Sequence, residues 1–311
     1  MTATHEAAAP GPVTIVGAGA MGTALAHAFH HAGVVVAAIA SRTDGHAAAL
    51  AARIPGARHV AMAVAGSSAP IVLLTVSDSA IEAACESAKI AAGALVAHAS
   101  GSRDVTPLRA AAQRGARVGG FHPIAAIIRA HALGAMTQTD HVASFRGAAF
   151  GIEGTADVYA TLASLASTLG GHPFAVDPRL KPQYHLGASM LAAFSAGLSH
   201  LAWECFRAAG APPEIASLGA AHLLHTVATN VARVPTPAAA LTGPAVRGDV
   251  EGVRRQAATV RTLPPEVQRL YRVHAEHSLV IAAGAGRIDA AVAAQLRGVL
   301  REQFPSEPDA G

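Results

Sequence analysis

A chain of 311 residues that is 51% hydrophobic and 14% charged can bury a large core and is long enough for more than one domain. That composition excludes a disordered chain, and a formal charge of +3 with no run of Lys or Arg offers no basic stripe for nucleic acid. Two distant cysteines, Cys85 and Cys205, make neither a disulfide framework nor a metal-ligand spacing; they read as two buried thiols in a reducing compartment.

The N-terminal "MTATHEAAAPGP" lacks a basic region followed by an apolar core, so no signal peptide is expected. The most apolar long stretch, Leu186 to Ser199, is fourteen residues between two histidines. It is short for a bilayer and reads as a buried helix. These features point to a cytoplasmic protein.

Val13–Val16 is a short β-rich run, Gly17–Gly22 a turn, Thr23–His31 a helix and Val34–Ala40 a second strand, with Gly33 ending the helix. Together they make a βαβ unit of about thirty residues. Pro70–Val76, "PIVLLTV", is a nearly continuous apolar run, as a parallel strand buried on both faces requires. Ser77, Asp78 and Ser79 offer caps for a helix reaching about Lys89. Further strands are predicted at 94–99, 117–122, 148–152 and 173–176, with a helix over 155–169. The alternation implies a doubly wound, mostly parallel sheet. After Asp177 the pattern changes: "DPRLKP" reads as a linker, and helices are predicted over 183–209, 213–233, 246–260, 265–283 and 288–303. The expected fold is therefore α/β, an N-terminal doubly wound Rossmann domain over 11–177 followed by a C-terminal all-α domain over 178–311.

The turn after the first strand carries G-x-G-x-x-G as Gly17, Gly19 and Gly22. Gly17 permits the tight turn, Gly19 lets the backbone approach a pyrophosphate, and Gly22 lets helix and strand pack closely. Free N–H groups at the helix start, with Ala20 and Met21 in its first turn, favour phosphate. The dinucleotide's second strand normally ends on an acid that holds a ribose 2′-OH. Here Ser41, Arg42 and Thr43 follow Ala40. A guanidinium with neighbouring hydroxyls suits a 2′-phosphate, so NADP(H) is expected over NAD; in the other reading Asp44 takes the acidic role and Arg42 is a solvated loop residue. Val76, Ser77 and Ser100 follow later strands at the ligand-binding edge. His122, before Pro123, ends another strand and is placed near the cleft, where it is either a substrate contact or part of a rigid turn.

The segments "VTIVGAGAMG", "SRT", "VLLTVSDSAI", "HASGS" and "FHPI" resemble the Rossmann half of the superfamily of 6-phosphogluconate dehydrogenase, β-hydroxyacid dehydrogenases, pyrroline-5-carboxylate reductase and ketopantoate reductase. "KPQYHLGASMLAAFSAGL", "TVATNVARV" and "ALTGPAVRGD" resemble a bacterial family of Rossmann-like proteins whose C-terminal helical domain has no defined function. The likeness runs from about residue 11 to 283. It implies a Rossmann and a helical domain, a homodimer through the helical part, and reduction by NADPH at a C=O or C=N carbon. It also implies that Lys181, at the start of the long helix, matches the general acid or base of the β-hydroxyacid dehydrogenases. Their Asn four residues on is His185 here, and Ala193 stands where the closer family would carry another.

On physical grounds Lys181 and His185 share a helix face at i, i+4, with Tyr184 beside them. Either can stabilise or protonate the heteroatom of a reduced double bond, and Lys181 is one of two lysines in the chain. Asn230 and Arg247 are further candidates for substrate contact, Arg247 as a carboxylate clamp or as the partner of Asp249 in a structural loop. His222 and His225 lack a third ligand, and no metal is expected. A competing function is an NADP(H)-binding protein without redox turnover, a sensor, scaffold or non-redox isomerase. No nucleic-acid or membrane partner is expected.

Overall fold

Apolar runs bounded by turn residues set the sheet. The computed structural model describes residues 11–128 and 138–305. Residues 1–10, which carry most of the stretch read for a leader, lie outside the described residues. By compactness the chain divides into two units, Met1–Phe194 and Ser195–Gly311.

The first unit alternates strands and helices in the order β1 (Val13–Val16), α1 (Ala20–His31), β2 (Val36–Ala40), α2 (Asp44–Ala51), β3 (Arg58–His59), α3 (Met62–Ala65), β4 (Ile71–Leu74), α4 (Ile81–Ala88), β5 (Leu95–His98), α5 (Arg109–Gln113), β6 (Arg117–Pro123), α6 (Gln138–Ala143), β7 (Ala149–Glu153), α7 (Ala156–Thr168) and β8 (His172–Ala175). The strands form one sheet in the order β3-β2-β1-β4-β5-β6-β7-β8. Every neighbouring pair is parallel except β6 with β7. The chain reverses direction across the sheet between β1 and β4, which makes that point the topological switch.

Each central strand is buried on both faces. Alternate side chains therefore enter opposite cores. Ile15, Leu73 and Leu95 join one core, while Val16, Val72, Leu74 and Val96 join the other. The first core is strengthened by an aromatic chain: Phe121 lies 6.5 Å from Phe29 and 5.1 Å from Phe150, and Phe150 lies 6.1 Å from Phe145. All four rings are fully buried.

The long helix α8 (Lys181–Ala208) crosses the division between the units. The segment read as a linker is a single turn, Pro178–Leu180, capped by the Asp177 carboxylate on the Arg179 N–H. With that turn the helix is 31 residues long, with a mean hydropathy of 1.2 in its most apolar window, so it meets the length and composition of a membrane crossing. This corrects the fourteen-residue reading, and it also corrects the expectation of burial: Leu186, Met190, Leu191 and Phe194 are exposed. The first turn of α8 is fixed to the sheet by a buried lysine. Cys205 lies exposed on the same helix, against the expectation of two buried thiols. Cys85 is buried, and burial pushes its thiol up to about 11.

The second unit continues with α9 (Pro213–Arg233), α10 (Val250–Val260), α11 (Pro265–Gly284) and α12 (Ala290–Gln303). Val253 and Ala257 of α10, Leu279 and Ala282 of α11, and Leu296 and Leu300 of α12 form its core. Asp249 and Asp289 accept the N–H groups of Gly252 and Val292 and so start α10 and α12.

Phe121 bridges two aromatic neighbours in the first core. Phe121→Ala is therefore expected to cost about 3–5 kcal/mol of stability, measured by urea unfolding followed through circular dichroism.

Candidate active site

The parallel strands β1, β2, β4, β5 and β6 bring their carboxyl ends to one edge of the sheet, where open α/β sheets bind ligands. At the switch point, Gly17 has φ +114°, and a Cβ there would fall 2.8 Å from the Thr75 carbonyl oxygen. Only glycine meets both demands. Gly22 is as tightly placed: a Cβ would lie 1.8 Å from the Gly17 oxygen and 2.5 Å from Thr75 Oγ1. Thr75, which sequence reasoning passed over, is the clasp of this turn. Its N–H bonds the Val16 carbonyl at 2.8 Å, and its buried hydroxyl donates to the Gly17 carbonyl at 2.7 Å.

Helix α1 then begins at Ala20, with Gly19 as its cap residue. No side chain caps it, and its first turn has no acid, so the N–H groups that open the helix are left for an anion. The space over Gly19 is open. These residues fit a dinucleotide's pyrophosphate. At the end of β2, Ser41 is half-buried, while Arg42 and Thr43 are exposed. Asp44, the alternative ribose ligand, is bound instead to His59 Nε2 at 2.8 Å. Arg42 has no carboxylate partner among the described residues, which fits a 2′-phosphate.

Val76 and Ser77 follow β4, and Ser100 follows β5. Asp78 was expected to cap a helix, but its carboxylate accepts the Ser102 hydroxyl across the edge, and the helix start at Ile81 has no side-chain cap. Burial pushes the Asp78 carboxyl up, yet hydrogen bonds from Ser102 and Ser100, with His185 and His98 nearby, hold it below the usual range.

The loop after β5 is fastened at three consecutive residues. His98, fully buried, has its Nε2 2.8 Å from the Asp104 carbonyl and its Nδ1 3.3 Å from the Ser100 N–H. Since a carbonyl can only accept, the proton is on Nε2 and Nδ1 accepts. Lys181 Nζ donates to the Arg103 carbonyl and lies 2.8 Å from Glu153 Oε2. Both side chains are 5% exposed. The ammonium stands off the hydrogen-bonding direction of Oε2, so that contact is an ion pair while its hydrogen bond goes to the loop. Glu153 Oε1 in turn accepts the Val105 N–H at 3.2 Å. Lys181 is thus held in the first unit with its charge already met.

Beside this pair, Tyr184 Oη lies 2.6 Å from His122 Nδ1, and the rings meet edge to face. Two glycines make room for them. A Cβ on Gly101 would lie 2.6 Å from the His122 ring, and one on Gly151 would lie 2.4 Å from Tyr184 Oη. Burial, then His185 and Lys181, lower His122 to about 4, so its ring is neutral at pH 7. Burial raises Tyr184 to about 12, so it remains a phenol. His185 lies 6.2 Å from His122, ring to ring. Its Nε2 is 3.2 Å from Ser189 Oγ, and its buried Nδ1 has no hydrogen-bond partner among the described residues.

The first unit therefore gathers the glycine turn, the Ser41–Thr43 segment, Val76, Ser77, Ser100, His122, Lys181, Tyr184 and His185. Asn230, exposed near the end of α9, and Arg247 belong to the second unit. Asp249 caps α10 and no ion pair joins it to Arg247 among the described residues. Sequence reasoning missed Glu153, although it is the one glutamate between Glu86 and Glu204.

Residues 4–123 match the Rossmann-like domain, and residues 148–278 match a domain of unknown function, DUF2520. The chain joins these two domains. Among solved structures, a Bacteroides fragilis protein assigned as an NADP oxidoreductase is 23% identical with a TM-score of 0.66, covering 86% of this chain and 97% of that one. Plasmodium falciparum pyrroline carboxylate reductase, with NADP bound, is 9% identical with a TM-score of 0.56, covering 95% and 97%. An imine reductase from Aspergillus terreus, in complex with NADPH4 and dibenz[c,e]azepine, is 20% identical with a TM-score of 0.53, covering 93% and 99%. These likenesses establish a shared fold. No curated protein matches the chain.

His122 ties the site to pH. Its pKa falls from the free imidazole value of 6.5 to about 4 on folding. The unfolded chain therefore binds the extra proton first as pH drops. The stability due to neutral His122 is complete above about pH 6.5 and is lost as pH falls through about 4. His27, lowered to about 4 mainly by burial, adds to the same limb. His122→Gln should flatten part of the acid limb of a plot of stability against pH and leave the region above pH 7 level.

Proposed function

We propose that this chain, a Rossmann-like domain joined to DUF2520, is an NADP(H)-dependent reductase acting on a C=O or C=N carbon of a small substrate. The observation that carries the reading is the meeting, at one sheet edge, of an uncapped glycine turn with a histidine–tyrosine–histidine cluster. The helix start from Gly19 to Gly22 would hold the pyrophosphate, and Ser41, Arg42 and Thr43 the 2′-phosphate. Val76, Ser77 and Ser100 would line the rest of the cofactor. Bound NADPH supplies a hydride.

The remaining work falls to the chain's own side chains. The reduced heteroatom needs a proton. Of the two helix candidates, Lys181 is spent on Glu153 and the Arg103 carbonyl, while the buried Nδ1 of His185 has no hydrogen-bond partner among the described residues. His185 is accordingly the proton donor, and Lys181 contributes charge and position. The neutral His122 and the Tyr184 phenol orient the substrate's polar group without adding charge. If the substrate carries a carboxylate, Arg247 is the guanidinium proposed for it, with Asn230 as a further polar contact.

The working unit is proposed to be a cytoplasmic homodimer through the helical part. Exposed apolar side chains support this, among them Leu198 on α8 and Ile215, Leu218 and Leu223 on α9. A second copy would cover them.

Two measurements test the reading. Arg42→Ala should weaken NADPH binding about tenfold or more, the worth of a charge-assisted hydrogen bond, and leave NADH binding unchanged. Oxidation of NADPH against 2-keto acids, ketones and cyclic imines should show turnover that falls about a hundredfold in His185→Ala. Tight NADPH binding with no turnover on any of these substrates would favour the non-redox alternative.

A further inference from the structure

Glu153 ends β7, opposite Gly120 of the antiparallel strand β6. A Cβ on Gly120 would lie 3.2 Å from Lys181 Nζ and 3.4 Å from Glu153 Cβ, so the bare strand gives the ammonium its seat. From that seat the pair reaches the loop twice: Lys181 takes the Arg103 carbonyl and Glu153 takes the Val105 N–H. His98 takes the Asp104 carbonyl between them. The same loop carries Gly101, against which His122 packs, and Ser102, which bonds Asp78. Three residues after Lys181, the helix places Tyr184 on His122.

We propose that Glu153 is a positioning residue: through Lys181 it sets both the 100–105 loop and the first turn of α8, and so holds Tyr184 on His122. A buried charge without its counter-charge is costly, so a lysine facing a neutral residue at 153 would turn toward water. Turning away releases the Arg103 carbonyl and frees the loop and the helix turn together. An apolar pair of similar volume could fill the space but could not direct a loop carbonyl and a loop N–H. The pair therefore acts through direction as well as through packing.

The proposal rests on the reductase reading only for the purpose of the site, and its test does not depend on turnover. The probe is the ring ¹⁵N signal of His122 Nδ1, compared among the wild type, Tyr184→Phe, Glu153→Gln and the double variant Glu153→Leu/Lys181→Met. Tyr184→Phe defines the signal of the broken contact. Glu153→Gln keeps the size and can still accept the Val105 N–H. It is expected to displace the His122 signal by at least half of the Tyr184→Phe displacement. The double variant, which leaves no buried charge, should fold with a Tm close to wild type and show the same displacement. A wild-type His122 signal in either folded variant would overturn the proposal, even with a lowered Tm, because the pair would then serve stability alone. Should Glu153→Gln fail to fold, the double variant decides by the same criterion. Loss of NADPH turnover in every protein, wild type included, would count against the reductase reading and leave this result standing.

Discussion

Two buried opposite charges, Lys181 and Glu153, are the constraint on which the rest of the site depends. Neither is tolerable alone in the interior; breaking such a pair typically costs about 3–5 kcal/mol, while replacing both partners with apolar groups can be neutral. The pair is thus weak evidence for stability and strong evidence for placement. It joins three pieces of chain far apart in sequence: the end of β7, the loop after β5 and the first turn of α8. The division between the compact units falls at Phe194 and Ser195, inside α8. The opening turns of that helix are bound to the sheet by Lys181 and Tyr184.

The glycine turn is held in a comparable way at the other side of the edge. Thr75 joins β4 to the turn after β1, and Gly17 and Gly22 leave no room for side chains where the three segments meet. One cluster of contacts thus shapes the anion cradle and another shapes the histidine–tyrosine cluster. Both arise at carboxyl ends of parallel strands because that is where loops are free to carry function on a rigid sheet.

Much of this was legible in the sequence, and the reason is locality. Apolar runs such as Ile71–Leu74 report burial on both faces, and the spacing of Gly17, Gly19 and Gly22 reports a turn between a strand and a helix. Seven of the strands and the long helices follow from such patterns, whereas β3 is only two residues of exposed Arg58 and His59 and carries no apolar signal. Partnerships across the fold were not legible. Glu153 and Lys181 are 28 positions apart, and Thr75 and Gly17 are 58 apart. No periodicity links them, so Lys181 and His185 read alike as proton-donor candidates and Asp78 as a helix cap. In the fold Lys181 meets Glu153, and Asp78 accepts the Ser102 hydroxyl. The length of α8 was nearly legible, since the helix expected over 183–209 runs over Lys181–Ala208; what was hidden is that Pro178 lies in a capped turn and not in a linker. Asp249 shows the opposite case: its place before Val250 is a local capping signal, and that local role, not a bond to Arg247, is what the fold uses.

The most direct measurement of the central claim is native-state hydrogen exchange of the Val105 amide and of the amides of Gln183, Tyr184, His185 and Leu186. If the buried pair fixes loop and helix to the sheet, these amides open only with the sheet, and their protection matches that of β4 and β5. If they exchange orders of magnitude faster than the strands, as an unfastened loop and a fraying helix end do, then the pair does not hold the site and the account fails.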